Sequence, residues 1–247
     1  MCEQERKITR EHVIPIWATD VLTELSPLTP ALGSPEAARA VVRQGDIVWY
    51  SQAIDVVVKG LCHPCNSGQE GTAPPLLERL IRGEALQLTS DDQVAVATWA
   101  YAKSLSLGFL DPMTREFGSA LRGFHRRRRP PLQSQAWLGR FDRESTWPDL
   151  PAFIRVGRIE LQRGGHDFAA AFTVIVMANV VLAVCRWLDE GVVAFDSLAG
   201  ILPMDALTSV WPVKSAKVLW PPEVSVTYRD LLASDVHGGS PAPPSAQ

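Results

Sequence analysis

Apolar positions recur along this chain first at helical spacing and later at strand spacing. Val94, Ala97, Ala100 and Leu105 follow the helical period. Ser90-Asp91-Asp92-Gln93 before them reads as a capping box, so a helix is predicted to about Leu107, with Trp99 as its anchor. Leu76 to Arg82 forms a shorter helix between Pro74-Pro75 and Gly83. Ser34-Pro35-Glu36-Ala37-Ala38-Arg39-Ala40 reads as another, with Ser34 as N-cap and Pro35 in the first helical position.

Ile8 and Val13 to Trp17 supply the apolar positions of a first strand. Asp46 to Tyr50 and Ala53 to Val58 read as two more. The β pattern returns at Ala152, with Phe153 to Leu161, the run Phe168 to Cys185, and Gly191 to Phe195. Phe168 to Cys185 is long enough to consider a membrane span. Its β-branched valines, the interrupting Asn179 and the preceding Gly164-Gly165 favour two buried strands joined near Met177 to Asn179.

Pro27, Pro30, Gly33 and Pro35 make the stretch after residue 17 begin as loop. Residues 111–150, rich in Arg and Pro, read as irregular. Trp211-Pro212 and Trp220-Pro221-Pro222 predict ordered turns packed by aromatic rings. Gly238 to Gln247 has the Gly/Pro/Ser composition of a disordered tail.

The 247 residues suffice for a sizeable core or two modest domains. With 46% hydrophobic and 21% charged residues, the composition is that of a globular chain. Four cysteines, Cys2, Cys62, Cys65 and Cys185, are too few and too unevenly spread for a disulfide framework. Met1 to Arg10 is charged and lacks an apolar core, so no secretory leader is expected and the setting is read as cytoplasmic.

Two short stretches carry the chemistry: Thr9-Arg10-Glu11-His12-Val13-Ile14-Pro15 and Leu61-Cys62-His63-Pro64-Cys65-Asn66. Thiolates at Cys62 and Cys65 can grip one Zn²⁺ from a tight turn, and Cys2 can be a third ligand, with the fourth left open. A metal-free thiol pair is the plain alternative. A redox role is disfavoured, because no thioredoxin-like βαβ context surrounds the pair. Cys185, in an apolar run, reads as a buried core thiol.

Together these stretches resemble the HNH endonuclease motif, the zinc-stapled form of the ββα-metal fold. In that motif a Glu-His pair with a nearby Pro ends the first strand, and a later C-x-x-C followed by His or Asn opens the helix. The likeness covers about the first 80 residues, the usual size of one small domain. It implies His12 as the general base that activates water. It implies Glu11 and Asn66 as oxygen ligands of a hard divalent ion, Mg²⁺ or Mn²⁺, and Cys2, Cys62 and Cys65 as holders of structural Zn²⁺. Adjacent strand residues face opposite ways, so the resemblance also implies a twist or bulge near the Glu-His pair. The middle Asn of the motif has no clear counterpart; Gln52 and Asp55 lie nearby.

The net charge of −3 does not announce nucleic acid, so that reading rests on local charge. Arg126, Arg127, Arg128 and Arg129 form such a patch, suited to phosphates; a solvated loop is the alternative. The resulting expectation is an α+β chain. Residues 1–85 form an HNH-like ββα-metal domain, residues 86–236 a helix and a β-rich part, and residues 237–247 the tail. The expected activity is metal-dependent hydrolysis of DNA, or of RNA, away from membranes. The alternative is a non-catalytic zinc-stapled module that binds nucleic acid or protein.

Overall fold

The computed structural model describes residues 8–25, 39–43, 46–51, 57–62, 72–109, 118–143, 152–163, 166–187 and 202–232. In chain order the elements begin with strand β1 (Ile8–His12), helix α1 (Ile16–Leu25), strands β2 (Arg39–Arg43), β3 (Asp46–Ser51) and β4 (Val57–Cys62), and helix α2 (Ala73–Ile81). Strand β5 (Leu86–Thr89), helix α3 (Ser90–Leu107) and helix α4 (Gly118–Arg127) follow. Strands β6 (Gln135–Phe141), β7 (Ala152–Arg163), β8 (His166–Met177) and β9 (Val180–Trp187) come next. The chain then forms β10 (Thr208–Trp211), β11 (Lys217–Trp220), β12 (Ser225–Val226) and helix α5 (Tyr228–Leu232). The fold is α+β.

An eight-stranded sheet dominates, in the order β10-β6-β9-β8-β7-β3-β2, with β12 added alongside β6. All its pairings are antiparallel except β12 with β6. Along β8 and β9 the side chains alternate between two apolar clusters. Ile175, Met177, Val180, Leu182 and Val184 face one, whereas Phe172, Val174, Val176, Val181, Ala183 and Cys185 face the other. A sheet covered on both faces needs apolar residues at every position. That is why Phe168 to Cys185 reads as one continuous run, and the two strands expected there do form, turning at Ala178-Asn179. Among the described residues no helix is long and apolar enough to cross a membrane.

Helix α3 lies against the first face. Trp99, wholly buried, sits in its centre, and Val96, Ala97, Ala100, Tyr101, Ala102, Leu105 and Leu107 are buried around it. A helix buried on so many sides is a core element and not a surface one. Its capping box is formed by Thr89 and Asp92, one residue before the expected Ser90 and Gln93. The Thr89 hydroxyl accepts from Asp92 N at 3.2 Å and Asp92 accepts from Thr89 N at 2.8 Å. Strand β5 pairs with β11 directly ahead of this cap, from Leu86↔Trp220 to Thr89↔Lys217, which fixes the N-terminal end of α3. Trp211 and Trp220 are buried, and Trp211 Nε1 donates to the Pro131 carbonyl at 2.9 Å, so the Trp-Pro turns are packed as expected.

Four expectations change. The first strand ends at His12, and residues from Ile16 are helical. Proline cannot donate to a strand ladder, and the Pro15 carbonyl instead accepts from Ala18 N and Thr19 N. Ala18, Val21 and Leu22 then bury one helical face, with Ile14 buried just ahead of the helix. Arg39 and Ala40 belong to β2, not to a helix, because Val41 and Val42 continue into a hairpin with β3. Residues 34–38 lie outside the described residues. Val57 and Val58 are in β4 as expected, but that strand runs on to Cys62; residues 53–56 lie outside the description. Residues 118–127 and 135–141 are helix and strand where irregular chain was expected. Strand β6 is buried at every position but Arg140, so it shows no polar alternation to betray it. Residues 191–195 and 237–247 lie outside the description.

The apolar cluster under α3 also contains Val13, Ile14, Ala18, Val21, Leu22 and Val58, and β3 pairs with β7. Residues on either side of position 85 therefore share one core and one sheet.

Candidate functional site

Strands β1 and β4 form a separate two-stranded antiparallel ribbon. Its register pairs Ile8 with Cys62, Thr9 with Leu61, Arg10 with Lys59, Glu11 with Val58 and His12 with Val57. Gly60 is left without a partner, so the ribbon bulges between Thr9 and Arg10. A glycine suits that position, since it adds no side chain to a locally disrupted ladder. The irregularity thus falls just ahead of the Glu-His pair and not within it.

The antiparallel register has a direct consequence for the cysteines. The start of β1, which follows the segment carrying Cys2, is the neighbour of the end of β4, where Cys62 stands. Cys62 therefore stands at the end of the ribbon where β1 begins, and thiolate sulfur is an appropriate donor for Zn²⁺. Cys2, Cys65 and Asn66 lie outside the described residues, and only the backbone of Cys62 is described. Among the described residues no group of three or more His, Cys, Asp or Glu side chains comes together.

Glu11 and His12 occupy the other end. Strand alternation sends them to different environments. His12 is half-buried, and Glu11 is turned into the core with 2% of its surface exposed. There Lys103 Nζ of α3 lies 3.1 Å from Glu11 Oε1, and Ser106 Oγ donates to Oε2 at 3.0 Å. Lys103 and Ser106 are three residues apart on the helix and so share a face. Lys103 Nζ also donates to the His12 carbonyl at 3.3 Å and stands 5.6 Å from the centroid of Trp99, one turn away. Lys103 is 1% exposed. Removing either partner of such a buried pair leaves an uncompensated charge, a loss of about 3–5 kcal/mol.

This geometry bears on the ion that the resemblance assigns to Glu11 and Asn66. Both Glu11 oxygens are already engaged, one of them by an ammonium. A divalent ion at the same carboxylate would stand beside a like charge in a region of low dielectric, so Glu11 as arranged here does not fit a metal ligand. Lys103 and Ser106 were not recognised from the sequence. The available signal was a lysine within the apolar, helically spaced run Val94 to Leu107, since a cation there demands a buried acceptor.

A second polar group, of three residues, extends from α3 to the sheet. Ser104 Oγ receives Arg186 Nε at 2.8 Å and lies 2.8 Å from Thr173 Oγ1. Helix α3 thus bonds the ribbon on one side and the strands β8 and β9 on the other. Cys185 next to Arg186 is fully buried, as expected of a core thiol, and burial pushes its pKa up to about 12.

The arginine run closes α4. Arg126 and Arg127 lie in its last turn and Arg128 and Arg129 follow, all four exposed. Arg128 has φ of 52°, the left-handed conformation that ends a helix, and its N–H returns to the Phe124 carbonyl at 2.8 Å. Cations at a helix C-terminus are favoured by the dipole. Phe124 is buried against Tyr101 of α3, with ring centroids 5.3 Å apart, so the exposed run is mounted on a packed element. Burial, and secondarily the charge of Arg128, lowers the pKa of His125 below its ordinary value.

No protein-family profile, curated protein or solved structure matches this chain.

Proposed function

We propose that this chain is a metal-dependent nuclease of the HNH type, acting in the cytoplasm on phosphodiester bonds of DNA or of RNA. The observation that supports it is the β1–β4 register. It pairs the strand ending in Glu11-His12 with the strand ending in Cys62, the two-stranded part that the motif requires, and sets Cys62 at the end opposite the Glu-His pair.

In this reading His12 takes the proton from the attacking water, a role suited to imidazole near neutral pH. Asn66 offers an oxygen to a divalent ion, which when bound supplies charge neutralisation at the phosphate. Cys2, Cys62 and Cys65 hold structural Zn²⁺. Arg126 to Arg129 contact backbone phosphates, away from the bond that is broken.

The test is nicking of supercoiled plasmid with Mg²⁺ or Mn²⁺, wild type against His12→Ala. Cleavage by the wild type and its loss in His12→Ala, with fold and zinc content unchanged, is the expected result. A wild type that binds plasmid without cutting it would favour the second reading, a zinc-stapled binding module. The engaged carboxylate of Glu11 is the observation on that side.

A further inference from the structure

We infer that Glu11 and Lys103 form a positioning pair for the main chain of His12, with Glu11 serving Lys103 and not a divalent ion. The inference rests on the nuclease reading for what the positioned imidazole does. It adds two residues of α3, Lys103 and Ser106, to the apparatus of that site.

A buried ammonium must find acceptors. Lys103 finds two on the same strand end: Glu11 Oε1 at 3.1 Å and the His12 carbonyl at 3.3 Å. Ser106 holds the second Glu11 oxygen at 3.0 Å. The strand is thus held by the side chain of one residue and the carbonyl of the next. Together these contacts restrict the peptide between Glu11 and His12, and with it the direction in which the imidazole leaves the backbone. The helix that supplies them is itself fixed, by the Thr89–Asp92 cap at its start and by Trp99 in the core. General-base catalysis depends on this kind of placement, because a small displacement from the attacking geometry is costly in rate.

The assignment also resolves the conflict at Glu11. A carboxylate already shared by Lys103 and Ser106 is electrostatically complete without a metal. Glu11→Gln should therefore disturb the site through His12, and leave the metal requirement as it was.

The experiment uses the full-length zinc-loaded protein with supercoiled plasmid and Mn²⁺ as probes. Lys103→Met alone strands a buried carboxylate, so the decisive variant is the charge-balanced pair Glu11→Gln/Lys103→Met, with Glu11→Gln beside it. We expect kcat of the pair variant to fall by about tenfold to a hundredfold at unchanged KM for plasmid. The Mn²⁺ concentration for half-maximal nicking should stay within about twofold in both variants, since neither removes a ligand. The ¹³C signal of the His12 carbonyl should move when Lys103 is replaced. A rise of about tenfold or more in the Mn²⁺ requirement of Glu11→Gln would make Glu11 a ligand and overturn the inference. Unchanged kcat with an unmoved carbonyl signal would overturn it too, leaving the pair as core structure only. A wild type that does not cut sinks the nuclease reading separately. Mn²⁺ binding followed by paramagnetic resonance, and the carbonyl signal, then decide the positioning claim without turnover.

Discussion

At the residue scale, the environment of a side chain decides what its chemical type can do. Glu11 and His12 are adjacent, yet one is enclosed by Lys103 and Ser106 and the other is half-buried. Either residue type can serve in acid-base work; only His12 is left with a surface from which to do it. His125 carries a consequence that thermal denaturation can measure. Burial first, and Arg128 second, hold its folded pKa below the ordinary value near 6.5. The unfolded chain therefore binds the proton more readily, and stability rises with pH. This contribution is fully present above the unfolded pKa and is lost as pH falls below about 6.5 towards the folded value. His125→Gln should flatten the dependence of Tm on pH between about 5 and 7, while an unchanged slope would assign that dependence to other groups.

At the element scale, the ends of helices and strands carry much of the specificity. Gly83 closes α2 with φ of 75°; its N–H bonds the Leu80 carbonyl at 2.9 Å and the N–H of Glu84 bonds that of Arg79 at 3.1 Å. This is a Schellman closure, and a glycine is the residue that adopts it without strain. The C-terminus of α4 works differently, by gathering charge. If Arg126 to Arg129 meet phosphates, changing all four to Gln should weaken binding to any sequence. It should also reduce the slope of log K against log salt by about 0.9 for each contact removed. Filter binding or fluorescence anisotropy across a salt series reads this directly. Equal slopes for the two proteins would identify the run as solvated surface.

At the scale of the whole molecule, α3 is the shared wall. Its residues pack beneath the large sheet, take the ribbon through Lys103 and Ser106, and take β8 and β9 through Ser104. The ribbon has only two strands, and such a unit is marginal alone. Its stability must come from α3 and, in the proposed reading, from the zinc staple at its other end. Cys62→Ser is thus expected to lower both Tm and zinc content, because structural zinc contributes directly to folding. Elemental analysis and thermal denaturation check it. Zinc-free wild-type protein, indifferent to a chelator, would remove the staple.

Much of this architecture was legible in residue order. Bracketing Pro74-Pro75 and Gly83 marked α2, capping chemistry and helical spacing marked α3, and β-branched residues around Asn179 marked β8 and β9. These are local signals, and local signals survive in a one-dimensional chain. Helix α1 escaped because the apolar stretch Val13 to Trp17 continued a strand by eye, although Pro15 had already ended it. Strand β6 escaped because burial on both faces erased its alternation. The Glu-His and C-x-x-C segments stood out as chemistry, but their register did not. Pairing Ile8 with Cys62 requires two strands about fifty residues apart to meet, and no local preference encodes that choice. The partner of Glu11 is the same kind of fact. Sequence alone determined that an acid stands beside His12 in a strand-forming stretch. Only the tertiary structure brought the lysine of a helix some ninety residues later against it, because a buried charge must find its counter-charge wherever the chain has folded one.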